Sequence, residues 1–140
     1  MSQTPQPESA EARLSRVTSL PDVLAAGFDA FEAIRITARH YQDEEPGLFA
    51  AFMTTADAAV DGREALTIAP SLPLHGGTEP ASTVPPDAST GEAADALARL
   101  AIAIGDRLTQ AATQAGTQGD ADACLEAAEA AGRIRELMTR

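Results

Sequence analysis

The chain has 140 residues, a net charge of −11, and 44% hydrophobic residues, of which few are aromatic: 4% of the chain. One domain is expected at this length, with a core of small side chains. Such an excess of carboxylates opposes a phosphate backbone or an anionic bilayer, so neither nucleic acid nor a membrane is expected as a direct partner. No run of about 18 apolar residues is present to span a bilayer. The first twenty residues carry Gln, Glu and Pro where a signal peptide needs an apolar stretch, so a cytoplasmic location is expected.

Alanine supplies much of the apolar count, and runs of alternating β-branched or aromatic residues are absent, so the sequence predicts an all-α fold. Residues 1–18 hold two prolines and many polar side chains. They are expected to form a disordered N-terminal tail with at most one helical turn around Leu14 and Val17. The first predicted helix starts at Ser19 as N-cap, with Pro21 in its first turn, and runs to about Tyr41. Leu20, Leu24, Gly27, Phe31, Ile34, Ala38 and Tyr41 step by fours and threes along one seam, which Phe28 widens.

Asp43-Glu44-Glu45-Pro46-Gly47 breaks this helix and starts the next. The second helix is expected to bury Leu48, Phe49, Phe52, Met53, Ala56, Ala59, Val60 and Leu66; Asp61-Gly62 leaves open whether it is one helix or breaks there, with Asp61 capping a short terminal helix, and Pro70 ends it either way. Residues 70–90 are dense in Pro, Gly, Ser and Thr and read as a linker. The third helix begins from Ser89, with Glu92 at capping-box spacing and a seam of Leu97, Ala101, Ile104, Leu108, Ala111 and Ala115. Gly116 to Gly119 reads as a turn, and the fourth helix as one capped by Asp120, with Cys124, Ala127 or Ala128, Ala131, Ile134 and Met138 inward.

Two helical hairpins, 19–69 and 91–140, are thus expected to form one domain, an antiparallel four-helix bundle or a dimer in which hairpins of two chains pack together. All five aromatics, Phe28, Phe31, Tyr41, Phe49 and Phe52, fall in the first hairpin. The second therefore needs the first, or another chain, for apolar bulk. On exposed faces Asp95/Arg99, Glu129/Arg133 and Glu136/Arg140 stand at pairing distance along the helix.

Candidate chemistry is sparse. A metal site in a bundle needs inward carboxylates and a Glu-x-x-His step; that step is absent. His40 and His75 lie far apart, and Asp29, Glu32, Asp122, Glu126 and Glu129 fall mainly on outer faces. No metal or cofactor is expected. The single cysteine, Cys124, has no neighbouring histidine to activate it and reads as a small core residue.

Arg35-Ile-Thr-Ala-Arg39-His40 resembles the Arg-x4-6-His motif of the HEPN family of helical ribonucleases. That resemblance implies His40 as acid or base and Arg35 as the group stabilising phosphate charge, across a dimer interface. The polar residue that often follows the motif's Arg is replaced by Ile36. The plainer reading makes Arg39 and His40 the cationic end of a helix, with Arg39/Asp43 and His40/Glu44 at i,i+4.

Ile36 and Ile102 lie about 200° around their helices from the seam residues Ile34 and Ile104, so both are expected to face outward as interaction residues. The stretches LAAGFDAFEAIRITAR and AAFMTTADAAVDGREALTIAPSLP resemble uncharacterised small α-helical proteins of high-GC actinobacteria. That likeness implies compartment and fold and carries no activity. The function expected is a non-enzymatic, self-associating interaction or regulatory module whose acidic face docks on a basic protein partner, such as a regulator or a nucleic-acid-binding protein. The HEPN-like ribonuclease and a bundle holding an apolar small ligand between its helices are the alternatives.

Overall fold

A computed structural model describes residues 8–73, 84, 85 and 87–140. Every regular element among them is helical: α1 (Ala10–Arg16), α2 (Leu20–Tyr41), a 3-10 turn (Pro46–Leu48), α3 (Phe49–Thr67), α4 (Thr90–Gln114) and α5 (Gln118–Met138). None of these helices is long and apolar enough to cross a membrane.

Helix starts follow local chemistry. The Ser19 hydroxyl accepts from the Asp22 amide at 3.3 Å, satisfying one of the orphan donors of the first turn of α2. At α4 the reciprocal capping box is complete, since Glu92 N donates to Ser89 Oγ and Ser89 N to Glu92 Oε1, both at 3.1 Å. The amide of Ser89 first, and then its hydroxyl, hold the Glu92 carboxyl below its usual range. Helix α5 departs from expectation. Its cap is Thr117, whose hydroxyl accepts from the Asp120 amide at 3.2 Å, so the helix begins two residues before Asp120.

Asp120 is instead a buried carboxylate, 1% exposed. Ser71, just past the end of α3, donates to it through its amide at 3.0 Å and its hydroxyl at 2.6 Å. Burial pushes this carboxyl up, and the bonds from Ser71 and Thr117 together outweigh burial and hold it below the ordinary value of 3.8. A side chain expected to cap one helix thus ties the exit of α3 to the entry of α5.

The four long helices share one cluster of buried side chains. Helix α2 packs on α3 and α4, and α5 packs on α3 and α4. Gly27 of α2 lies against Leu66 and Leu108, and an added Cβ there would sit 3.3 Å from Leu66. The Tyr41 hydroxyl at the end of α2 donates to the carbonyl of Ala88, just before α4, at 3.0 Å. The inward seams of α4 and α5 are as expected for Leu97, Ala101, Ile104, Leu108, Ala111, Cys124, Ala127, Ala131, Ile134 and Met138, all of them buried.

Two further expectations are corrected and one open question is answered. Residues 10–16, placed in a disordered tail, form a helix capped by Ser9, with Ala10 and Leu14 buried in the shared core and Val17 buried just beyond it. Residues 1–7 lie outside the described residues. The question left open at Gly62 is answered by an unbroken α3, in which Gly62 is a packing position: a Cβ there would stand 2.4 Å from the Phe31 ring. Phe49 and Met53, expected inward, are exposed, so the buried face of α3 is carried by Phe52, Thr55, Ala56, Ala59, Gly62 and Leu66. The stretch 70–90 is described only at its ends, where Leu72, Val84 and Ala88 pack on the core; His75 lies outside the described residues.

Candidate functional site

The polar chemistry of the first hairpin centres on Glu32. Arg35 donates to its carboxylate through Nε and Nη2, both at 3.1 Å, and Arg63 reaches across from α3 to the same group. The carboxyl is held below its usual range, first by Arg35 and then by Arg63, against the effect of partial burial. Glu32 was expected on an outer face; it is half-buried because α3 supplies a second cation. Arg35 thus has both its Nε and one terminal nitrogen occupied by Glu32.

His40 lies five residues on, about 140° around the helix from Arg35. It is exposed, with its ring edge-on to Tyr41 at 5.0 Å. The two members of the HEPN-like pair therefore diverge within one chain. Arg39 turns to Asp57 of α3 at 3.5 Å rather than to Asp43. Arg133 likewise reaches Asp61 across the helices at 3.5 Å and not Glu129 on its own helix. Packing brings α3 close enough that the cross-helix partner wins over the expected i,i+4 one.

Cys124 is buried, and its thiol is pushed up to about 11, first by burial and then by the neighbouring Asp120 charge. Its thiolate is scarce at neutral pH. No group of three or more His, Cys, Asp or Glu among the described residues is placed to hold a metal ion.

Ile36 and Ile102 point outward, 46% and 44% exposed. Other large apolar side chains do so too: Phe49, Met53, Leu125 and above all Ile68, 71% exposed at the end of α3. Ile68 borders a groove of about 330 Å³ between α3 and α5, walled by Asp61 and Glu64 from one helix and Glu126 and Glu129 from the other. Ala65 and Ala130 line it as well, and Arg133 stands at its edge, beside Asp61. Asp61, Glu64 and Ile68 follow i, i+3, i+7 spacing, as do Glu126, Glu129 and Arg133, so each wall was readable as a helix face. What the spacing did not contain is that these two faces adjoin. A second, smaller groove of about 160 Å³ lies between α4 and α5, with Ile102, Gly105, Asp106, Ala128, Gly132 and Arg135 around it.

In comparisons with protein-family models, curated proteins and solved structures, nothing matches the chain.

Proposed function

We propose that the chain is a non-enzymatic interaction module, an antiparallel bundle of four long helices that offers an acidic groove to a basic segment of a protein partner. The observation that carries this reading is the α3–α5 groove, where four carboxylates from two helices flank a floor of Ala65 and Ala130 and the exposed Ile68. Such a groove suits an amphipathic helix that sets apolar residues on the floor and Arg or Lys on the walls. Charge steers the encounter, and apolar burial holds the complex. The positions of Arg35 and His40 favour structure over catalysis, because Glu32 engages Arg35 and His40 points elsewhere.

The test uses a fluorescent, arginine-rich amphipathic peptide and measures anisotropy at low and physiological salt. Glu64→Lys/Glu126→Lys/Glu129→Lys is expected to weaken binding at least about tenfold, whereas Asp22→Lys/Asp43→Lys/Glu44→Lys, with the same change in net charge, leaves it within about threefold. Equal losses in the two triple variants would mean that bulk charge alone attracts the peptide, and the groove reading would fall.

A further inference from the structure

Helix α1 is held in the seam between α2 and α4, where the long helices meet least closely of their four seams. Its inner face is Ala10 and Leu14, continued by Val17, and all three are buried. Its polar ties go to both neighbours. Arg13 pairs with Asp29 of α2. Arg107 of α4 donates through Nε to the Leu14 carbonyl at 2.9 Å and through Nη2 to the Val17 carbonyl. The remaining terminal nitrogen of Arg107 is held by Gln110 Oε1 at 2.6 Å, so α4 presents the guanidinium already oriented.

Four features of this segment bear on exchange between chains. Arg107 reads backbone carbonyls at the negative end of a helix, so any copy of α1 satisfies it. A seven-residue helix has no stability of its own and exists only where a seam receives it. The connection to α2 is short and extended, with Val17 at φ −71°, ψ 143° and Ser19 at φ −77°, ψ 148°. Because Ser19 caps α2 by itself, α1 can leave without unravelling the long helix. The segment is also balanced in charge, Glu8 and Glu11 against Arg13 and Arg16, so its transfer between two strongly acidic chains brings no added repulsion.

We propose that the α2–α4 seam is a helix receptor and that α1 of a second copy takes the place of the chain's own α1, joining two chains by exchange of this segment. This goes beyond the acidic groove and does not depend on it, since the seam lies on the opposite pair of helices.

The experiment uses full-length chains. Glu11 and Arg99 are exposed and line one shallow cleft beside α1, and neither holds α1 in place. Chains carrying Glu11→Cys are mixed with chains carrying Arg99→Cys and treated with a short bismaleimide; buried Cys124 does not compete. The control replaces the second chain by Gly132→Cys, on the exposed face of α5. Exchange predicts a crossed Glu11→Cys/Arg99→Cys dimer at least about tenfold above the control. Adding Arg107→Ala to both chains should speed its appearance about tenfold, from loss of charge-assisted bonds that hold α1 closed. A crossed product no more abundant than the control, with or without Arg107→Ala, overturns the proposal.

Discussion

The two pairs of long helices are built by different means. Between α2 and α3 the fit is one of unlike shapes: the Phe31 ring occupies the space that a side chain at Gly62 would need, and Glu32 is gripped by a guanidinium from each helix. Between α4 and α5 the surfaces are alike and small, so that a Cβ added at Gly105 would lie 3.8 Å from the Ala131 methyl, and strong local signals start each helix. The first pair is specified by contacts distant in sequence, the second largely by its own local propensities. Burial of Ala-rich faces is forgiving of small changes, whereas interlocked ones are not.

The sharpest way to break that contrast is to place the same methyl group at a glycine in each pair. Gly62→Ala should destabilise the fold by about 2 to 3 kcal/mol in chemical denaturation, because overpacking against Phe31 exceeds the gain of about 1 kcal/mol in helix propensity. Phe31→Leu in the same chain should recover part of that loss, a coupling that a double-mutant cycle measures. Asp120→Asn probes the tie between the two pairs. It should cost about 1.5 kcal/mol at neutral pH, the scale of hydrogen bonds to a charged group. Since the folded carboxyl lies below the ordinary 3.8, its contribution is complete above that value and is lost as pH falls through the lower folded value. The deficit of Asp120→Asn against the parent should therefore shrink in acid, and a deficit independent of pH would show that the charge contributes nothing.

Ser89→Ala removes one half of the capping box and should cost about 1 kcal/mol, seen as faster amide exchange in the first turn of α4 with the rest of the bundle unchanged. Gly132→Ala, where nothing stands within 4 Å of the new methyl, should stabilise by about 0.8 kcal/mol, the smallest effect and the opposite sign to Gly62→Ala. If the two glycines respond alike, the distinction between the helix pairs is lost.

The same division governs what the sequence revealed. Ser19, Ser89 and Glu92 were legible because a cap is a bond between residues three apart. The Ala and Leu seams of α4 and α5 were legible because period alone assigns them. Gly62 could not be resolved from sequence, since Asp-Gly is a local turn signal and Phe31, which fills the space beside it, lies 31 positions away. Helix α1 was misread as tail because what stabilises it is Arg107, more than 90 residues distant from Leu14. Asp120 was misplaced for a like reason: its partner Ser71 belongs to another helix pair. The outward Ile36 and Ile102 were found from angle alone, whereas the acidic groove required knowing that α3 lies beside α5.

Tyr41 is the chain's only tyrosine, and tryptophan is absent. Its hydroxyl donates to Ala88 at the point where the end of α2 meets the start of α4. Nearly all intrinsic ultraviolet emission of the molecule thus originates at a single junction, and quenching or recovery of that signal during refolding would time the docking of one helix pair onto the other without any attached dye.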